Sequence, residues 1–277
     1  MLARPDRRLA HDLRDVFGWS LPFAPDLLPV DLRRIVEDGD LAEPAGDGAL
    51  RAKARVSSLD ETLFAHSPYP TVQEDAVFFG PDSYRFANLI AAELERTPDR
   101  QISTALDIGT GAGVGAIVIK QRNPHARVLA TDVNPAAVRF AAVNAAAAGV
   151  GIESIESAAI PLPDMPIDLV VANPPYIIDP DSRAYRDGGD LHGAQVSVDM
   201  VDSALPRLAE HGTLILYTGS AIVRGEDALL SRLQAMAGHY RRNLRYVTLD
   251  PDVFGEELEK PFYRDVERIA LVAAILN

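Results

Sequence analysis

The chain contains no cysteine, which excludes disulfides, thiolate metal sites and a cysteine nucleophile together. Its six histidines (11, 66, 125, 192, 211 and 239) never fall at i,i+4 spacing. None sits among carboxylates in a metal-ligand pattern, so no metal site is expected. No apolar run approaches the ~18 residues of a membrane-crossing helix. The start, Met1 to Arg8, turns polar at once, unlike a secretion leader, so the cytoplasm is the expected location. Positive charge is also scarce: 27 Lys and Arg against 40 Asp and Glu leave a net charge of −13. Proteins that hold nucleic acid through many phosphate contacts usually carry a basic face, because each neutralised phosphate releases counterions. Nucleic acid is therefore disfavoured as a partner, and a protein or a small molecule fits better; the oligomeric state is left open. What the 277 residues do have is 47% hydrophobic and 24% charged side chains, the composition of a folded globular protein. That length accommodates an α/β core with an added segment.

Residues 1–75 read differently from 76–277. Leu9, Leu13 and Val16-Phe17 fall at helical spacing, and Leu28, Leu32, Ile35 and Val36 repeat the pattern. Gly39 and the stretch Glu43 to Gly48 break the chain, after which Leu50, Ala52, Ala54 and Val56 alternate with polar residues as in a half-exposed strand. A small, mostly helical, winged-helix-like cap is expected. Its first fifty residues hold six arginines against ten acids, so a DNA-reading role is disfavoured and a cap over a ligand pocket is the plainer reading.

From Val77 onward strands and helices alternate. Gly80-Pro81-Asp82-Ser83 can cap a helix through Arg85, Leu89 and Leu94. Strands are expected at 102–108, 127–131, 169–172, 213–217, 244–249 and 268–276. Helices are expected at 114–121, 135–148, 198–208 and 226–237. The pattern predicts an α/β fold, Rossmann-like, with a seven-stranded, mainly parallel sheet. No helical stretch separates the last two strands, so the final one is expected to be antiparallel.

Leu106-Asp107-Ile108-Gly109-Thr110-Gly111-Ala112-Gly113 follows a strand and opens a helix. Glycines there let the backbone turn sharply and approach a ligand where a side chain would collide. A glycine-rich βα turn alone also suits a dinucleotide, or no ligand. Asp107 would repel a pyrophosphate but suits the cationic amino-acid end of S-adenosyl-L-methionine, directly or through water. Asp132 ends the next strand, 25 residues after Asp107, where a carboxylate can accept both ribose hydroxyls. Each acid has a plainer alternative, because Asp107 and Asp132 could simply cap helices. Gly109, Thr110, Gly111, Gly113 and Asn134 complete the candidate cofactor set.

Asp168 to Tyr176 carries the most specific signal. A buried strand delivers Asn173 to the carboxyl edge of the sheet, where open α/β folds bind ligands. Pro174 and Pro175 fix φ and remove two backbone donors, leaving carbonyls that a ligand can donate to. The Asn173 side-chain oxygen and the Pro174 carbonyl can together accept both hydrogens of an –NH2 group. Tyr176 can offer a flat face to a planar acceptor. Asn173, Pro174 and Tyr176 are thus the candidate catalytic residues, with Asn173 also adjoining the cofactor.

The glycine loop, Asp132 and Asn173-Pro174-Pro175-Tyr176 together resemble the class I methyltransferases that modify planar nitrogens. These include the release-factor glutamine methyltransferases and the amino-methylating adenine and cytosine enzymes of DNA and ribosomal RNA. The resemblance covers roughly residues 77–277. Tyr176-Ile177 followed by Asp187-Gly188-Gly189-Asp190-Leu191-His192-Gly193 looks most like the glutamine enzymes. It implies S-adenosylmethionine as cofactor and an amide or amine, foremost a protein glutamine, as acceptor. In the chain's departure from the family pattern, Glu156 or Ser157 is expected where an acid normally meets the adenine amine. The acidic stretch 250–259 has no counterpart and reads equally as a surface for a cationic partner or as a solvated turn. The competing functions are a ribosomal or transfer RNA nucleobase methyltransferase, a small-molecule N- or O-methyltransferase, a cofactor-binding module without catalysis, and a dehydrogenase. The last must place a pyrophosphate beside Asp107.

Overall fold

Hydrophobic strands punctuated by glycine turns assemble as the pattern predicts, and so do the two short helices before them, whereas the single strand expected between does not. The computed structural model describes residues 9–71, 73–161, 165–179 and 185–277. The chain opens with α1 (Leu13–Trp19), whose Asp12 accepts a hydrogen bond from the Asp15 N–H at 2.8 Å, and α2 (Val30–Asp38). The single strand expected around residues 50–56 is instead parts of two antiparallel hairpins. One joins β1 (Ala42–Gly46) to β2 (Ala49–Ala52), and the other joins β3 (Arg55–Leu59) to β4 (Thr62–His66). Asp47, Gly48 and Asp60 supply the positive φ that tight hairpin turns need. This makes the segment as much strand as helix, a correction to the mostly helical expectation. Alternation alone cannot reveal a turn whose two flanks keep the same period. Val16, Phe23, Leu28, Val36 and Ala52 form a separate small core, while Leu59 and Phe64 of the second hairpin join the main one.

The rest runs α3 (Pro81–Arg96), β5 (Thr104–Ile108), α4 (Val114–Arg122), β6 (Arg127–Asp132), α5 (Pro135–Ala147), β7 (Glu153–Glu156) and β8 (Ile167–Ala172). It continues through a kinked turn α6 (Asp190–Gly193), α7 (Gln195–Ala204), β9 (Leu208–Val223), the two-residue β10 (Glu226–Asp227), α8 (Ala228–Tyr240), β11 (Leu244–Val253) and β12 (Arg268–Leu276). The main sheet has the order β11-β12-β9-β8-β5-β6-β7, with β10 paired to β9. β7, β6, β5, β8 and β9 are mutually parallel, and β12 is antiparallel to both its neighbours. β5 and β8 lie side by side, yet the chain leaves them in opposite directions across the sheet. Their carboxyl ends therefore flank the topological switch point, where such sheets leave a crevice. The glycine turn and Asn173 both start there. Among the described residues no helix is long and apolar enough to cross a membrane.

Candidate active site

A cavity of about 620 Å³ opens at the switch point. Gly109, Thr110 and Gly111 line it from the turn after β5, Asp132 and Asn134 from the end of β6, and Asn173, Pro174 and Tyr176 from the end of β8. Three sequence-predicted residues lie elsewhere: Asp107, Gly113 and Glu156 are outside its lining.

The glycine turn owes its shape to positive φ. Gly109 (φ +66°) and Gly111 (φ +54°) adopt left-handed conformations that side chains disfavour, and a Cβ at Gly111 would meet no protein atom within 4 Å. The floor of the turn is Asp107, which is 1% exposed. Its Oδ2 accepts from the Thr110 hydroxyl at 2.7 Å and from the Ala116 N–H at 2.9 Å. A Cβ at Gly115 would lie 2.8 Å from both Asp107 oxygens, so that glycine is what lets the helix seat on the carboxylate. Burial pushes the Asp107 pKa up to about 7, against the pull of these two hydrogen bonds. Asp107 thus buttresses the turn from beneath instead of reaching into the cavity. Gly113 (φ +85°) caps α4, and a Cβ there would lie 3.0 Å from the Ala141 Cα, so it serves close packing of α4 on α5.

Asp132 is the acid that faces the cavity. Oδ2 accepts from the Gly111 N–H at 2.9 Å and Oδ1 from the Asn134 N–H at 2.9 Å. Each oxygen keeps a lone-pair direction, so the carboxylate can still receive two hydroxyls. Burial raises its pKa, partly offset by these amides. Asn134 caps α5 through the Ala136 N–H, and its Nδ2 donates to the Asp75 carbonyl at 2.8 Å. Glu156 pairs with Asp132 in register across β6 and β7, but its side chain is exposed; Ser157, Ala158, Ala159 and Ile160 line the cavity in its place.

At the end of β8, Asn173 and Pro174 bring two oxygens to the cavity lining. Among the described residues, neither the Asn173 side chain nor the Pro174 carbonyl has a hydrogen-bond partner. Tyr176 is 7% exposed, with its ring against Gly219 and edge-to-face with Phe254 at 5.9 Å. In this conformation the ring is part of the wall and offers a planar acceptor little surface to stack on. Its hydroxyl donates to Asp82 Oδ2 at 2.7 Å. Burial, then the Asp82 charge, raise the tyrosine pKa well above its ordinary value, so the hydroxyl is a donor and not a base.

Several contributors escape sequence reading. Asn144 on α5 donates to the carbonyls of Ala112 in the glycine turn and Ala65 in β4, and accepts from the Ala65 N–H. It ties the turn to the second hairpin. Met200 and Asp199 of α7 and Phe254 also line the cavity. Within the acidic stretch 250–259, β11 runs on to Val253 and Glu257 is 4% exposed, held by Arg186 and Lys260, while Asp252, Glu256 and Glu259 are exposed. Arg186, ten residues past Tyr176, also lines the cavity.

A sheet of this order, with a glycine turn at its switch point, is the architecture of the class I S-adenosylmethionine-dependent methyltransferases. Residues 74–237 match the family described as methyltransferase small domain, and the chain belongs to that family. A release factor glutamine methyltransferase of Deinococcus radiodurans is 31% identical over 181 residues, 64% of this chain and 63% of that protein. The match thus spans under two thirds of that relative's length. Among solved structures, TYW2 of M. jannaschii in complex with AdoMet is 12% identical with a TM-score of 0.52, over 81% of this chain and 86% of that one. The tRNA m1G37 methyltransferase of M. jannaschii is 13% identical with a TM-score of 0.53, over 82% and 59%. At these identities the likeness is one of fold. The residues fit S-adenosylmethionine as cofactor: the unobstructed face of Gly111 admits a ligand against backbone, and the Asp132 carboxylate retains acceptors for two ribose hydroxyls.

Proposed function

We propose that the protein is a cytoplasmic N-methyltransferase that modifies the side-chain amide of a protein glutamine, with a release factor as acceptor. The observation that carries this reading is the pair of unpartnered oxygens, Asn173 Oδ1 and the Pro174 carbonyl, on the same cavity as the glycine turn. Two such acceptors match the two hydrogens of a primary amide and turn its nitrogen toward the cofactor side. When bound, S-adenosylmethionine supplies an electrophilic methyl carbon on a sulfonium. Asp132 would hold the ribose hydroxyls, and Gly109, Thr110 and Gly111 would pass close to the ligand with backbone alone. As the carbon–nitrogen bond forms and the carbon–sulfur bond breaks, the nitrogen loses one proton to solvent. Asn173 and Pro174 need only orient the amide and take up its growing positive charge, so no strong base is required. The naming of the Deinococcus relative supports the choice of acceptor, and the net charge of −13 weighs against an RNA acceptor.

The test is incubation of the purified protein with methyl-labelled S-adenosylmethionine and a purified release factor, alongside total RNA and a small-molecule extract. The expected result is label on one glutamine of the release factor, located by peptide mass spectrometry. Label confined to RNA or to small molecules would overturn the acceptor assignment. Cofactor binding is checked separately by calorimetry. Asp132→Ala should weaken S-adenosylmethionine binding by ~1–3 kcal/mol, the cost of removing hydrogen bonds to a charged acceptor. NAD should give no binding heat; tight NAD binding without a response to S-adenosylhomocysteine would sink the cofactor assignment.

A further inference from the structure

We infer that Asp82 is a positioning residue for methyl transfer, acting through the Tyr176 hydroxyl to hold the turn that carries Asn173 and Pro174. The inference rests on the N-methyltransferase reading of that turn.

Asp82 stands in the first turn of α3, 94 positions before Tyr176. Both of its oxygens are in use. Oδ2 accepts from the Tyr176 hydroxyl at 2.7 Å and Oδ1 from the Tyr217 hydroxyl at 2.9 Å. Its side chain is 14% exposed. Arg85 lies 3.7 Å away on the same helix and 3.6 Å from Asp250, which balances the carboxylate. The amides at the start of α3 favour a negative charge there as well. Tyr217 is fully buried on β9, one residue beyond Leu216, which pairs with Ala172 at the end of β8. Asp82 therefore bridges the turn that follows β8 and strand β9, from an element outside the sheet.

The Tyr176 ring also packs against Gly219 and Phe254, apolar contacts that carry no hydrogen-bond direction. The hydroxyl bond does set one. Pro174 and Pro175 have fixed φ, so the backbone between Asn173 and Tyr176 behaves as a short rigid link. Fixing the tyrosine end of that link fixes where the Pro174 carbonyl points. Burial and the Asp82 charge both raise the pKa of Tyr176 and of Tyr217, so both remain donors throughout the working range.

The experiment compares Asp82→Asn, Asp82→Glu, Tyr176→Phe and the double variant Asp82→Asn/Tyr176→Phe. Single-turnover methyl transfer to release factor is measured at saturating cofactor, with S-adenosylmethionine affinity by calorimetry. Asp82→Asn is expected to slow transfer about 10- to 100-fold, the range for small misplacement of a reacting group, with affinity within about three-fold of wild type. Tyr176→Phe should lose a similar factor, and the double variant no more than Asp82→Asn alone, because the Asp82–Tyr176 bond is common to both. Asp82→Glu should recover part of the loss. Multiplying losses in the double variant, or an unchanged rate in Asp82→Asn, would overturn the inference. A second readout needs no acceptor and so separates this inference from the acceptor assignment. In protein labelled at the asparagine side chains, Asp82→Asn and Tyr176→Phe should shift the Asn173 amide resonance the same way. An Asn173 resonance unmoved by both variants would overturn the inference whatever the acceptor proves to be.

Discussion

Asn173→Ala is expected to lower the single-turnover rate of methyl transfer by about 10²–10³ while changing S-adenosylmethionine affinity only a few-fold. The separation follows from what each side chain faces. Asp132 and the turn at Gly109–Gly111 meet the cavity from β5 and β6, whereas Asn173 and Pro174 meet it from β8. Removing the Asn173 amide leaves the Pro174 carbonyl as the sole acceptor for two hydrogens. The nitrogen can then rotate its lone pair away from the methyl carbon, and one preorganised dipole is lost where positive charge develops. Asn173→Asp keeps an oxygen in the same place and should retain part of the rate. The measurement is rapid-quench transfer to release factor beside calorimetry of the cofactor. A near-wild-type rate for Asn173→Ala would refute the planar-nitrogen mechanism and favour an oxygen or carbon acceptor.

The doubly wound part of the molecule is legible at its centre because β5 and β8 are buried on both faces, so their hydrophobic runs coincide with the elements. The cavity follows from the same pattern, since Gly109, Gly111, Asp132 and Asn173 stand at strand ends that a switch point brings together. Direction is what the pattern cannot supply. Asp107 and Asp132 both sit at strand ends, but the chain after Asp107 folds back over its carboxylate while that after Asp132 leaves one side open. The cue for the first was present in Thr110 and in Gly115, the residue whose missing side chain makes room. Glu156 ends an edge strand with its side chain outward, and the following turn reaches the cavity in its place. Asp82 was readable only as part of a helix start, because its partners lie 94 and 135 positions away. The N-terminal hairpins were missed for a different reason: the alternation of Leu50, Ala52, Ala54 and Val56 runs unbroken across the junction between β2 and β3.

Gly188 offers a sharper trial of how the acceptor turn is held than any residue in the cavity wall. The segment after the turn folds back on it: the Gly188 N–H donates to the Ile177 carbonyl at 2.8 Å, and the Gly188 carbonyl accepts from the Val196 N–H. A Cβ at Gly188 would stand 1.8 Å from the Gly193 carbonyl oxygen and 2.8 Å from the Tyr176 Cα. Gly193 itself, with φ +96°, would place a Cβ 2.5 Å from the Tyr176 carbonyl oxygen. These are backbone contacts, so no rotamer change relieves them, and Gly188→Ala must push the turn, the Gly193 segment or both. Overpacking of this kind typically costs ~1–3 kcal/mol of stability. A displacement of the turn by about 1 Å should cost on the order of 10² in transfer rate. Cofactor affinity should change far less, because Gly188 lies outside the cavity lining. Gly151→Ala is the matched control, since a Cβ there meets no atom within 4 Å and φ is not positive. The expected outcome is a lowered melting temperature and a lost single-turnover rate in Gly188→Ala alone, with S-adenosylmethionine still bound. Should Gly188→Ala melt and turn over like Gly151→Ala, the close packing of this loop on Tyr176 would not be what sets the acceptor geometry.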